Sequence, residues 1–292
     1  MALTQACRPS GGIECDLTVT RVEPERFYVV SAAATEDHDY AWLQSQLRDE
    51  DDDVGLENVS ARHGVLTLAG PRSRELLQKL THEDVSRTSL PFFRARDLQV
   101  GPVPVLALRV SYVGELGFEL HHALEDQRVL YDLVLEAGAP LGIVDFGYRA
   151  LDSMRLEKAY RLWGVDMSAD YTPLEAGLER FVCFDKGDFV GREALLRQRE
   201  LGIGRTLACL TIETDDVDAH GYEPVRAVGK PIGYVAGGGY GHVVERSIAL
   251  AYLPLAHSEP GTALTVDMLG EPRPAVVVSQ PLYDPDNLRL LS

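Results

Sequence analysis

The feature that most constrains this chain is a change of texture near Thr206. Beyond it, short β-rich runs alternate with turns: Leu207 to Ile212, Ile232 to Ala236, Ser247 to Leu253, Leu264 to Met268 and Ala275 to Val278. That spacing predicts a small barrel or sandwich as a separate C-terminal domain. Gly237-Gly238-Gly239-Tyr240-Gly241 lies inside this region and lacks both G-x-x-x-x-G-K-S/T and G-x-G-x-x-G. It therefore reads as a flexible turn between strands rather than a phosphate loop.

Upstream, helical and strand patterns mix. Two glycines, Gly11-Gly12, lead into a strand through Asp16, Leu17 and Val19, and Phe27 to Ser31 forms a second strand, giving a hairpin about Pro24-Glu25-Arg26. Asp37-His38-Asp39 can cap a helix through Trp42 and Leu47, and the acidic run Asp49 to Asp53 reads as a solvated loop. Val65 to Ala69 is strand-like, Arg72 to Leu80 is helical, Val103 to Ser111 is strand-like and Leu124 to Ala137 is an amphipathic helix. Helical patterns follow from about Tyr148 to Tyr160 and, after the stretch Lys186 to Leu195, to about Glu200. The 292 residues are more than one compact core usually holds, so two or three domains of an α+β protein are expected.

Charge and cysteine usage narrow the function. A formal net charge of −17 argues against a general nucleic-acid or anionic-membrane binder. No apolar leader and no run of about 18 apolar residues is present, which argues against a signal peptide and a membrane span. Cys7, Cys15, Cys183 and Cys209 are scattered without a C-x-x-C pair, which fits reduced thiols in a cytoplasmic setting. The eight histidines show no ligand spacing, and His121-His122 should diverge on a strand, so no metal site is expected.

The chemistry-bearing stretch is Ser111-Tyr112-Val113-Gly114-Glu115-Leu116-Gly117-Phe118-Glu119-Leu120-His121. Gly114 and Gly117 suit a backbone that turns or approaches something closely. Phe118 and Leu120 start an alternating strand, so Glu119 should point away from them. A carboxylate at a strand edge near the Tyr112 ring could bind a flat, NH-rich heterocycle, and Asp16 is a second carboxylate just inside its glycine-led strand. No G-x-S-x-G elbow and no activated cysteine accompany them.

Several stretches together resemble the folate-binding aminomethyltransferase family typified by the glycine cleavage T-protein. They are Gly11-Gly12-Ile13-x-x-Asp16-Leu17-x-Val19, Gly70-Pro71-x-Ser73, Tyr112-x-Gly114-Glu115-x-Gly117-x-Glu119 and Asp152-Ser153-Met154-Arg155-Leu156-Glu157. Thr172-Pro173-x-Glu175-Ala176-Gly177-Leu178, Phe189-x-Gly191-Arg192-Glu193 and Gly233-Tyr234 continue the pattern in order. The flavour of Gly12 to Val19 and of Arg149 to Lys158 is similar to the C-terminal folate half of sarcosine and dimethylglycine dehydrogenases.

The resemblance implies a three-domain cloverleaf with an incomplete N-terminal part. Residues 1–54 would be the remainder of a central α+β domain carrying Asp16, 55–188 an α+β folate-binding domain and 189–292 a C-terminal β-barrel domain. It implies tetrahydrofolate as the one-carbon acceptor, Asp16 as the catalytic carboxylate beside the reacting folate nitrogen, and Tyr112, Glu119 and Arg149 as folate-binding residues. Glu119 would pair with the pterin N–H edge in a bidentate, charge-assisted contact. No FAD fingerprint is present, so a FAD-dependent amine dehydrogenase is the expected partner, with no nucleic acid, membrane or metal involved.

This sequence departs from the T-protein pattern in three ways. Cys15-Asp16 stands where T-proteins tend to have two acids, and Leu151 stands where they tend to have Arg, with Arg149 two residues earlier. Both departures fit the sarcosine-type branch. Family modules also begin well before the Gly-Gly-Ile turn, so a partner-supplied segment, a shortened start or a remnant is expected. The alternatives to the enzyme are a non-catalytic folate-binding or scaffold subunit and the iron–sulfur-repair branch. Asp188 stands where that branch carries its cysteine, which ranks it last.

Overall fold

The computed structural model describes residues 1–48 and 53–292, so the expected acidic loop lies, except for Asp53, outside the described residues. The chain divides into two compact units. One comprises Met1–Ala2, Thr18–Gly147 and Asp286–Ser292; the other comprises Leu3–Leu17 and Tyr148–Pro285. The opening strands β1 (Ala2–Cys7) and β2 (Ile13–Glu23) are followed by β3 (Arg26–Val30), which pairs antiparallel with the Thr18–Glu23 part of β2 as the hairpin pattern predicts.

In the first unit α1 (Glu36–Ser45), β4 (His63–Ala69), α2 (Ser73–Leu80), β5 (Ala95–Val100), β6 (Val103–Leu108), β7 (Gly117–Ala123) and α3 (Gln127–Gly138) follow in turn. Strands β4 to β7 form an antiparallel sheet in the order β4-β7-β6-β5. Leu68, Phe118 and Leu120 of the sheet pack with Leu76 and Leu77 of α2 and with Leu130 and Val134 of α3 in one core. Full burial of a Leu or Phe side chain contributes roughly 1.5–3 kcal/mol. A one-residue slip of β7 would trade that for a carboxylate in the core, so the apolar face fixes the register and turns Glu119 outward. The observed register is Leu66↔Leu120, Thr67↔Glu119 and Leu68↔Phe118. Strand β5 escaped the sequence pattern because only Leu98 and Val100 of its six residues are buried, on an edge otherwise rich in polar side chains.

In the second unit α4 (Tyr148–Glu157) and α5 (Arg192–Leu201) precede a closed barrel of β8 (Arg205–Ile212), β9 (Pro224–Ala227), β10 (Lys230–Gly241), β11 (Arg246–Pro254), β12 (Ala263–Met268) and β13 (Glu271–Val278). The strand order around the barrel is β10-β11-β8-β13-β12-β9. Helix α4 stops three residues short of the predicted Tyr160, and Ala159 just beyond it adopts φ 52°, a left-handed conformation that ends a helix.

One expectation is overturned here. Gly237 to Gly241 is not a flexible turn but strand, paired Gly237↔Leu250 through Gly241↔Arg246. Its glycines answer to crowding. A Cβ on Gly238 would lie 2.7 Å from the Ala219 carbonyl oxygen and 3.0 Å from that of Ile248, and one on Gly241 would lie 2.9 Å from Cγ of Glu157. Backbone and α4 occupy the space that side chains would need. Among the described residues, no helix is long and apolar enough to cross a membrane.

Candidate functional site

The turn before β7 does what its glycines predict, by two different means. Gly114 adopts φ 76°, where a side chain would be strained. Gly117 needs closeness instead, since a Cβ there would sit 3.1 Å from the Val110 carbonyl oxygen and 3.2 Å from Cβ of Ser111. The turn is anchored on both sides: Gly70 N–H and Ser73 Oγ–H donate to the Leu116 carbonyl at 2.8 and 3.1 Å, and the buried Arg109 donates to the Gly117 carbonyl at 3.1 Å. Arg109 lies among Phe92, Phe118, Arg74 and Arg87, and burial together with the two like charges pulls its guanidinium down to about 10. Tyr112 leaves this turn half-buried, and Glu119 follows on β7.

Glu119 is not a lone surface carboxylate. His121, two residues on and therefore on the same face, places Nε2 3.3 Å from Glu119 Oε2. The other ring nitrogen, Nδ1, is 3.1 Å from the hydroxyl of Tyr28 on β3, whose ring meets the imidazole edge-on at a centroid distance of 5.4 Å. The His121 side chain is 2% exposed, whereas that of Glu119 is 27% exposed. Burial, and secondarily the Glu119 charge, pushes the Tyr28 phenol up, so its hydroxyl stays protonated. His122 turns the other way, toward Gln127 Oε1 at 2.8 Å and the Leu120 carbonyl at 2.9 Å, so the two histidines diverge as expected.

Asp16 sits on β2 in the second unit. The strand is clamped at its start: Ile13 N–H donates to the Tyr171 carbonyl at 2.9 Å, and Trp163 Nε1–H donates to the Ile13 carbonyl at 3.1 Å. Gly11 adopts φ 91°, and a Cβ on Gly12 would collide with the Ala169 carbonyl, so the Gly-Gly pair is a geometric requirement. Gln5 Nε2–H of β1 donates to Asp16 Oδ1 at 2.8 Å, which suits an ionised acceptor.

Arg149 is exposed on the first turn of α4, whereas Arg155 of the same helix is buried. Arg155 donates to Asp152 Oδ1 at 2.7 Å, to the Tyr160 carbonyl at 3.0 Å and to the wholly buried Asp166. Burial pushes the Asp166 carboxyl up, and Arg155 opposes that shift. Glu157 accepts from the N–H groups of Val243 and Val244, at 2.6 and 3.0 Å, and so ties α4 to the segment after β10.

Residues 1–186 match the GCVT N-terminal domain, and residues 205–284 match the glycine cleavage T-protein C-terminal barrel domain. The chain belongs to the glycine cleavage T-protein family. It is 42% identical over 275 residues to the mitochondrial dimethylglycine dehydrogenase of Homo sapiens, covering 94% of this chain and 32% of that protein. It thus spans about a third of the length of that relative. It is also 35% identical to an aminomethyltransferase of Caldanaerobacter subterraneus subsp. tengcongensis, covering 96% of this chain and 74% of that one.

The crystal structure of the glycine cleavage system aminomethyltransferase T of Bartonella henselae matches with a TM-score of 0.83 at 26% identity, covering 97% of this chain and 76% of that one. The fold is therefore the aminomethyltransferase fold, with mixed helix and sheet and the closed C-terminal barrel of the T-protein family.

Within this T-protein family fold, Tyr112 and Glu119 share one turn-and-strand segment of the first unit, whereas Asp16 and Arg149 belong to the second. Two residues beside the site escaped the sequence reading. His121 was legible in principle, two positions from Glu119 on an alternating strand. Tyr28 was not, because its approach to β7 is tertiary.

Proposed function

We propose that this chain transfers the one-carbon unit of an N-methylamine-derived iminium onto tetrahydrofolate, giving 5,10-methylenetetrahydrofolate, as the folate half of a sarcosine/dimethylglycine dehydrogenase-type system. Tetrahydrofolate supplies the two nitrogens that take up the carbon. Glu119 accepts the pterin N–H edge, Tyr112 packs against the pterin face, and exposed Arg149 offers a cation to the carboxylates at the glutamate end. Asp16 orients the attacking nitrogen and takes one of the two displaced nitrogen protons; the other leaves with the departing amine.

The observation that carries the reading is the state of Glu119. Its carboxylate is held on one side by a buried histidine and is open on the other, on a strand whose motif is that of the family. Such a group fits a flat heterocycle with adjacent N–H donors. The proposed partner is a FAD-dependent amine dehydrogenase, a reading supported by the human relative's being named a dimethylglycine dehydrogenase.

The reading is tested by titrating tetrahydrofolate into the folded chain. Binding is expected, together with its loss in Glu119→Ala. Asp16→Ala is expected to retain folate while losing methylene transfer in the presence of a partner dehydrogenase. Unchanged transfer by Asp16→Ala would remove Asp16 from the chemistry.

A further inference from the structure

We propose that Tyr28 and His121 are positioning residues that hold Glu119 in its ligand-accepting orientation through a tyrosine–histidine–carboxylate relay. The inference rests on the reading of Glu119 as the pterin acceptor and extends it to His121, two positions on in the same strand, and to Tyr28 of β3.

The donor order follows from chemistry. An ionised carboxylate can only accept, so the imidazole nitrogen facing Glu119 Oε2 at 3.3 Å, Nε2, carries the proton. In a neutral ring Nδ1 is then an acceptor, and the Tyr28 hydroxyl at 3.1 Å donates to it. Each group thus fixes the next: Tyr28 selects the Nε2–H tautomer, and Nε2–H selects the Glu119 rotamer.

Position strengthens the case. His121 is held from three directions, by its own strand, by β6 through the register Leu106↔His121 and by the Tyr28 ring. It lies on the sheet face opposite the apolar core, where no packing of that core requires an imidazole. A glutamate without such a partner samples several rotamers and loses that freedom when it binds. The relay removes the loss in advance, which is how preorganisation raises affinity. It also engages one carboxylate oxygen from behind while that oxygen keeps a second lone-pair site for the ligand.

The test uses four variants of the full chain, with circular dichroism and thermal melting to establish folding and calorimetry with tetrahydrofolate to measure binding. His121→Leu is expected to weaken binding about tenfold, the loss of one hydrogen bond to a charged group. His121→Gln, whose amide can place a donor near the Nε2 position, is expected to recover most of that loss. Tyr28→Phe, which removes only the hydroxyl, is expected to weaken binding roughly twofold to fivefold.

Long-range proton–nitrogen spectra of the His121 ring supply a readout that a packing role would not move. Wild type is expected as the Nε2–H tautomer, and Tyr28→Phe is expected to gain Nδ1–H population. A wild-type ring in the Nδ1–H form overturns the relay. So does wild-type affinity in His121→Leu and Tyr28→Phe when Glu119→Ala has lost binding, and that result leaves the pterin reading standing. Wild-type affinity in Glu119→Ala overturns the pterin reading and the proposal with it. Should His121→Leu fail to fold, Tyr28→Phe decides the matter by the same two readouts.

Discussion

Two glycine-bearing tracts behave in opposite ways. Ser111 to Glu119 turns: Gly114 is left-handed, and the tract exists to deliver the side chains of Tyr112 and Glu119. Gly237 to Gly241 runs straight in β10, and its value is the absence of side chains. Ser153 Oγ–H of α4 donates to the Tyr240 carbonyl at 2.7 Å, and Leu156 Cδ2 comes within 3.7 Å of where a Gly239 Cβ would stand. One tract carries the proposed pterin contacts, whereas the other seats the helix that carries Arg149. Composition alone does not separate a glycine needed for φ from a glycine needed for volume.

The comparison can be broken at several points. The largest effect is expected at the seat of α4, where Arg155→Leu strands the wholly buried Asp166 and should cost about 3–5 kcal/mol in urea unfolding. An effect below about 1 kcal/mol would show that α4 is not held by that pair. Next, Gly238→Ala pushes a methyl into two carbonyl oxygens and should cost about 2–3 kcal/mol. Gly114→Ala should cost less, about 1–2 kcal/mol, the cost of placing an L-residue in left-handed backbone at φ 76°. If Gly114→Ala proves costlier than Gly238→Ala, the assignment of φ to one tract and crowding to the other is reversed.

The smallest effect at neutral pH appears only in alkali. All four cysteines lie in the second unit, and burial pushes the Cys7 thiol up from 9.0 to about 11 and that of Cys209 up to about 12. A folded-state value above the unfolded one means that this stabilisation is fully present below about pH 9 and is lost as pH climbs through 11–12. Thermal melts across that window should fall, and Cys7→Ala and Cys209→Ala should flatten the fall.

Much of the fold was legible where local pattern and tertiary demand agree. The β2–β3 hairpin, α2 and α3 fall where periodicity puts them, α5 begins earlier than its pattern suggests, and five of the barrel strands were visible as β-rich runs. What was missed shares a cause. Strands β5 and β9 are short or polar, and β1 is only partly buried, so their identity comes from the neighbours they pair with. The glycine ribbon was misread because its constraint sits on other elements, Ala219, Ile248 and Glu157. In the site, alternation placed Glu119 away from Phe118 and Leu120, and the motifs pointed to Asp16. Nothing local to Arg26–Val30 announces that Tyr28 lies against His121.

The central claim is that the turn-and-strand segment from Tyr112 to Glu119 recognises a pterin. Isothermal calorimetry with tetrahydrofolate on wild type and on Glu119→Gln, which keeps the shape of the side chain and removes its charge, tests it most directly. The account predicts saturable binding to the folded wild-type chain and a loss of roughly a hundredfold in the variant, the worth of two hydrogen bonds to a charged acceptor. Equal affinity of the two proteins, or no binding by a well-folded wild type, would contradict it.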